Sequence, residues 1–504
     1  MRRYMSVGLV VAAVLATGAA PSFGTARSDP LAEFHRQQLT WTACEDGLEC
    51  AELVLPLDYA RPAADRISLV VSRKKAADPT RRRGILVLNP GGPGGSGLGM
   101  PTFLAGTEVA KVYDLIGFDP RGVGGSTALT CHTVPLDVAT VDTRPDDSEF
   151  PKWAAEARAV EDACQRAAGG IRPYINSANT ARDLDVVRAV LGEEKLNYFG
   201  YSYGTYLGAV YGSLFPQRLD RSVLDSSVHP EWIWREQFRA QAVALRRNVE
   251  TWAVWVAQRH DRFRLGTTAA EVVASVERVA AALAAAPVAG QTRTSFDFAV
   301  GVGARYRPLW SDTAVSVAEL GAGKPSEIAA ALARSVEDDL VSGVFNTVTC
   351  EVDWPTDVET YFEDMRVFRD RYPYGFGVLR AAPTTCAFRT FTPPEPAVAL
   401  KREGYPVGVV VQAEGDTQTQ YESGPAMAKR LGHNLVTVLD EGKHGLYGGG
   451  NACVDRAVDR YLVDGVLPAS SSTCPGDPRP DPAAATSAEH VRTYLAGRGL
   501  AARS

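Results

Sequence analysis

The chain has 504 residues, 45% hydrophobic and 22% charged, and 53 Lys and Arg against 59 Asp and Glu leave a formal charge of −6. That usage excludes a disordered tail, a collagen and a small disulfide knot, and the length fits several domain-sized units or one large domain with an insertion. A mildly acidic chain has no global field for nucleic acid, and beyond the N-terminus no apolar run is long enough to span a membrane.

In chain order, the first segment is unlike the rest. Arg2 and Arg3 precede an apolar stretch at 7–16, and Gly24-Thr25-Ala26 forms a small-x-small site. This pattern reads as a secretory signal peptide over 1–26, with cleavage after Ala26 and a secreted mature chain. Arg2-Arg3 also allows twin-arginine export, which Tyr4-Met5-Ser6 fits poorly, and no cysteine follows the apolar run to take a lipid anchor. The eight cysteines are Cys44, Cys50, Cys131, Cys164, Cys350, Cys386, Cys453 and Cys474. An even count in an exported chain predicts disulfides, with the connectivity open; nearest-neighbour pairing would close four local loops. No cysteine or histidine cluster has metal-ligand spacing, so no zinc site is expected.

Strand-like runs alternate with helical ones, which predicts an α/β fold with a doubly wound, mostly parallel sheet. The strands are expected at 84–89, 113–119, 196–200, 222–225, 407–412 and 435–439, with a helix at 179–191 in which Thr180 and Asp183 have capping spacing. Between 225 and 407 the pattern becomes helical. Residues 231–260 carry Trp232, Trp234, Trp252 and Trp255, a second helix at 268–286 opens with a Thr268/Glu271 capping box, and a third is expected at 326–340. The expected organisation is a signal peptide (1–26), an N-terminal core part (27–228), a helical lid insertion (229–386) and a C-terminal core part (387–504). Residues 470–485, rich in Ser, Pro and Asp, are expected to loop over the surface.

Gly200-Tyr201-Ser202-Tyr203-Gly204 is a GxSxG motif between a strand and a helical run. That is the context of a nucleophile elbow, in which Ser202 stands on a tight turn at the carboxyl edge of the sheet. Asn89-Pro90-Gly91-Gly92-Pro93-Gly94-Gly95-Ser96-Gly97 follows an earlier strand. Its backbone N–H groups are free to face an anion, and the N–H groups of Gly92 and Tyr203 are the candidate oxyanion hole. No Gly-Lys-Ser/Thr closes the loop, so it is not a phosphate loop. Of seven histidines, only His444 lies just past the last expected strand in a Gly-rich turn, where a general base belongs. Asp416, after the strand ending at Gln412, is the candidate orienting acid, with Asp225 the alternative.

With these motifs the chain resembles the secreted tripeptidyl aminopeptidase branch of the α/β-hydrolases, related to prolyl aminopeptidases. The resemblance also rests on Phe118-Asp119-Pro120-Arg121-Gly122-Val123-Gly124-Gly125-Ser126, on Thr205-Tyr206-Leu207-Gly208 after the elbow, and on Cys453-Val454-Asp455-Arg456-Ala457-Val458 with Cys474. It implies an α/β-hydrolase fold, a Ser202, Asp416, His444 triad and removal of short peptides from free N-termini; some relatives act as esterases. Two departures stand out. The family's Asp-Pro-x-Thr-Pro is here Asp416-Thr417-Gln418-Thr419-Gln420, and its Gly-x-Gly-His turn is Gly442-Lys443-His444, with Lys443 expected to point to solvent.

An exopeptidase must also hold the substrate's ammonium. Glu351 and Asp353, in Cys350-Glu351-Val352-Asp353-Trp354, are the candidate carboxylates. The expected substrate is thus a peptide, or alternatively a small ester cleaved by the same triad. A non-catalytic binding protein of this fold would be expected to lack a triad member, and epoxide hydrolase chemistry would need an acid where Ser202 stands. No cofactor, metal or nucleic-acid partner is implied, and the oligomeric state is left open.

Overall fold

The computed structural model describes residues 29–131, 141–334, 343–375 and 377–496. The expected signal peptide lies outside them, as does the end of the helix expected at 326–340. A single ten-stranded sheet runs through the molecule in the order β1-β2-β3-β5-β4-β6-β7-β8-β9-β10. The strands are β1 (Thr42–Ala43), β2 (Glu49–Pro56), β3 (Arg66–Lys74), β4 (Ile85–Asn89), β5 (Asp114–Phe118), β6 (Leu196–Tyr201), β7 (Leu219–Asp225), β8 (Val409–Ala413), β9 (Asn434–Leu439) and β10 (Ser471–Pro475). β1 to β3 pair antiparallel, β3 meets β5 antiparallel, and every pair from β5 to β10 is parallel.

Helices cover the parallel part, so its strands read as continuous apolar runs; every residue of β4, β6 and β8 is buried. β2 and β3 instead alternate, with Leu53, Leu55, Ile67, Leu69 and Val71 facing the core. β4 has β5 on one side and β6 on the other. The chain therefore changes winding direction at β4, and the crevice beyond the carboxyl ends of β4 and β6 is where such sheets bind ligands.

Three expectations need correction. Residues 470–485 do not simply loop over the surface: Ser471 to Pro475 pair in register with Leu435 to Leu439. Only Cys474 of that strand is buried, which is why it carries no apolar signal. The helix expected at 179–191 is Ser177–Val190, and its cap is Asn176, which accepts the Asn179 N–H; Thr180 and Asp183 lie inside it, buried. The 229–386 segment is indeed mostly helical, but its first long helix is Arg235–Ala257.

Unlike the later helix Gly343–Val348, which packs Val344 and Val348 into the main core, the helices between β7 and β8 from Arg235–Ala257 to Glu327–Arg334 form a cap with its own core. Val249, Trp252, Val256, Val276, Phe296 and Trp310 are among its buried residues, and Val491 and Leu495 of the last helix, Ala488–Ala496, join them. The capping box at Thr268 and Glu271 is present. All four disulfides link nearest-neighbour cysteines: Cys44–Cys50, Cys131–Cys164, Cys350–Cys386 and Cys453–Cys474.

Candidate active site

Ser202 joins β6 directly to the helix Tyr203–Leu214 and adopts φ 57° and ψ −127°. An L-residue holds that backbone only when its surroundings impose it, and here the neighbouring glycines permit it. A Cβ on Gly200 would lie 2.6 Å from the Gly204 backbone, and one on Gly204 would lie 2.7 Å from Asn89 Oδ1. The small residues of the motif thus let strand, helix and the loop after β4 meet at the turn. Gly91 completes this contact, since a Cβ there would lie 2.8 Å from Ser202 Cβ and 3.2 Å from Tyr203 N.

The loop after β4 is held from both sides. Asn89 Oδ1 accepts the Gly91 N–H at 3.0 Å. Ser96 Oγ donates to Asp119 Oδ1 at 2.5 Å, and Gly125 N donates to Asp119 Oδ2 at 2.8 Å, tying the loop to the segment after β5. Beyond it, Arg121 and Asp183 form a fully buried pair at 2.6 Å, to which Tyr59 adds its hydroxyl at 2.7 Å. With the Gly91 N–H engaged, the Gly92 N–H is the next donor along the loop. The Tyr203 N–H is the first of a helix, one of the orphan donors at that end.

His444 Nδ1 lies 2.7 Å from Asp416 Oδ2. Asp416 is fully buried, and its other bonds come from its own turn: Gln418 N at 2.8 Å, Thr419 N at 3.2 Å and Thr419 Oγ1 at 2.9 Å. Burial pushes this carboxyl up, but the His444 imidazole, Arg305 and these donors together hold it below its usual range. The turn forms without the two prolines of the related motif. Gln420 accepts from Gln237 at 2.8 Å, and Gln418 O accepts from Gln237 at 3.1 Å and Gln241 at 2.7 Å.

Asp225, the alternative acid, instead accepts backbone N–H groups from Leu446 at 3.1 Å and Tyr447 at 2.7 Å, and the Ser226 hydroxyl at 2.9 Å. Its backbone oxygen accepts the Ser202 N–H at 3.1 Å. Ser202 and the His444 turn are therefore anchored on one residue. Burial raises the Asp225 carboxyl to about 7 against these hydrogen bonds.

The cap reaches both loops. Asn248 Nδ2 donates to Gly415 O at 2.9 Å, Arg305 Nε to Gly442 O at 3.1 Å, and Arg307 pairs with Asp440 at 3.4 Å. Lys443 does not point to solvent as expected: it is buried and ion-paired with Asp477. The two expected ammonium ligands separate. Asp353 is 95% exposed in its side chain and pairs with Arg389 at 2.8 Å, so it does not face the sheet edge. Glu351 is buried and already engaged, accepting the Ser177 N–H and the Ser177 hydroxyl, each at 2.8 Å. Sequence reasoning did not single out Asn89 or Ser177. Asn89 is legible as the last residue of a strand running into glycines; Ser177 carries no local signal.

A serine on a strained strand-to-helix turn, with a buried Asp416 paired to the partly exposed His444 from later strand ends, defines an α/β-hydrolase. Family models agree: one described as "alpha/beta hydrolase fold" matches residues 84–316, and one described as "TAP-like protein" matches 372–474. The chain is 35% identical over 457 residues to tripeptidyl aminopeptidase of Streptomyces lividans, covering 86% of this chain and 85% of that one. It is 30% identical over 479 residues to serine protease Hip1 of Mycobacterium tuberculosis (87% and 91%), and 31% over 507 residues to carboxylesterase B of the same species (93% and 95%). The chain belongs to the tripeptidyl aminopeptidase family of α/β-hydrolases and is a serine hydrolase.

Proposed function

We propose that the protein is a serine exopeptidase that releases short peptides from free N-termini through an acyl-enzyme on Ser202. The observation that carries the acyl-enzyme part of this reading is the 2.7 Å His444–Asp416 pair on a turn anchored, with Ser202, to Asp225. Asp416 accepts from Nδ1–H of His444, which leaves the Nε2 lone pair to take the Ser202 proton. Ser202 Oγ attacks the scissile carbonyl, and the N–H groups of Tyr203 and Gly92 receive the charge that develops on its oxygen. The imidazolium returns the proton to the leaving amine as the C–N bond breaks. Water, activated by the same imidazole, then cleaves the ester to free Ser202.

Support for peptide substrates comes from the relatives named tripeptidyl aminopeptidase and serine protease. Support for a restricted cleft comes from cap residues bonded to the loops bearing Asp416 and His444. The four disulfides, with the signal-like N-terminus, support export to an oxidising compartment. A carboxylesterase reading is the alternative. It is favoured by the solvent-facing Asp353 and the engaged Glu351, neither of which offers a free carboxylate for an ammonium. Incubation with paired free and N-acetylated peptides, read by mass spectrometry, tests the two. Release of short N-terminal fragments from free peptides alone supports the exopeptidase; cleavage of simple esters with both peptide sets intact supports the esterase.

A further inference from the structure

Glu351 lies just past the short helix Gly343–Val348 of the β7–β8 insertion, next to the Cys350–Cys386 disulfide. Its carboxylate meets Ser177, the first residue of the helix Ser177–Val190 in the hydrolase core. Oε2 accepts the Ser177 N–H and Oε1 accepts the Ser177 hydroxyl, both at 2.8 Å. Ser177 Oγ is in turn 2.9 Å from the Tyr203 hydroxyl. Ser177 has one hydroxyl proton, and the Glu351 carboxyl, raised by burial to about 7, only accepts once it is ionised above that pH. In that form the Tyr203 hydroxyl donates to Ser177, and Ser177 donates to Glu351. All three side chains are buried, and the Tyr203 ring packs 5.7 Å from Trp234 and 6.5 Å from Tyr206, centroid to centroid. Tyr203 is the residue after the nucleophile, and its backbone N–H heads the helix that begins there.

We propose that Glu351 is a positioning residue for the oxyanion hole: acting through Ser177, it fixes Tyr203 and so aims the Tyr203 N–H at the developing oxyanion. The proposal rests on the hydrolytic reading of Ser202 given above. A residue of the β7–β8 insertion thereby sets the geometry of a backbone donor after β6, and Glu351 takes no part in binding the substrate's ammonium. A donor already in place when charge develops needs no reorganisation at that moment, and small displacements of such groups weaken the transition state more than the bound substrate.

The test is steady-state kinetics on a free-amine peptide and a neutral ester for Glu351→Gln, Ser177→Ala and Tyr203→Phe, with the rate of phosphonylation by a fluorophosphonate measured alongside. Each variant should lower kcat roughly ten- to a hundredfold on both substrates with KM little changed, below the ~10²–10³-fold cost of losing an oxyanion donor outright. Phosphonylation, which develops charge on oxygen in the same hole, should slow in parallel. The double variant Glu351→Gln/Tyr203→Phe should be no slower than the slower single one, because one chain is broken twice. Wild-type kcat in folded Tyr203→Phe, which removes a single hydroxyl, overturns the proposal even if Glu351→Gln does not fold. A raised KM for free-amine peptides with esters unaffected also overturns it and makes Glu351 an ammonium ligand. Failure of the wild-type protein to be labelled at Ser202 would instead overturn the hydrolytic reading.

Discussion

Tyr447 donates its backbone N–H to Asp225 at 2.7 Å, which fastens the turn carrying His444 to the end of β7. Leu446 donates to the same carboxylate, and Tyr201, the residue before Ser202, donates its hydroxyl to Tyr447 O. The turns carrying Ser202 and His444 are thus held to each other by residues adjoining them. Asp225 acts here as an acceptor for backbone, whereas Asp416 contacts the imidazole.

Asp225→Asn should therefore impair both stability and turnover. An amide offers one acceptor oxygen, so its NH₂ faces either the Ser226 side or the N–H groups of the His444 turn. Leaving a buried donor unpaired costs about 1–3 kcal/mol. The expected result is a lower urea midpoint and a fall in kcat of roughly tenfold or more as the base turn shifts. Unchanged midpoint and kcat would contradict this anchoring role.

Asp416→Asn should behave differently. The bonds from the Gln418 and Thr419 N–H groups can persist on the amide oxygen, so the fold should survive. Without the carboxylate, His444 loses the partner that fixes its tautomer and stabilises the imidazolium, and kcat should fall about 10³–10⁴-fold. Circular dichroism with ester hydrolysis checks both halves. A near-wild-type kcat would remove Asp416 from the mechanism.

Asp225 and Glu351 are both buried carboxyls raised to about 7, chiefly by desolvation. A carboxyl whose pKa is higher in the folded state binds more protons there than in the unfolded chain. Its contribution to stability is therefore complete below the ordinary carboxylate range and is lost as pH rises to about 7. Asp416, held below its usual value, has the opposite sign and loses its contribution as pH falls. Urea midpoints measured from pH 5 to 8 for wild type and Glu351→Gln should show the wild-type advantage shrinking as pH rises. An advantage that grows with pH would contradict the assignment.

The Cys453–Cys474 disulfide, spanning 21 residues, ties the edge strand β10 to the helix Ala452–Asp459. A loop of that size is worth about 3 kcal/mol in the chain-entropy account. Replacing both cysteines by alanine should lower the thermal midpoint while leaving room-temperature turnover intact, since the links from this edge to the His444 turn, the β9–β10 ladder and the Lys443–Asp477 pair, do not run through the disulfide. Loss of turnover in the folded variant would show that β10 supports the site.

How much of this was legible in the sequence depended on the kind of signal. Ser202 stood out because two glycines flank a serine at a strand–helix junction, and steric need explains each glycine. The parallel strands were legible as apolar runs. β2 and β3 alternate apolar and polar residues, a weaker signal than the continuous apolar runs of the buried strands. β10 was not readable: its pairing is made by backbone, and of Ser471-Ser472-Thr473-Cys474-Pro475 only Cys474 is buried. Glu351 and Asp353 lie two residues apart on a turn whose direction no local pattern reveals, and the fold buries one and exposes the other. Lys443 is similar, since its partner Asp477 comes from the segment just past β10.

The most direct test of the account is mass-spectrometric mapping of the fluorophosphonate adduct on the wild-type protein and on Ser202→Ala. The wild type should carry one adduct per chain, on the peptide containing Gly200-Tyr201-Ser202-Tyr203-Gly204, and the folded variant none. An adduct on another residue, or labelling that persists in Ser202→Ala, would contradict it.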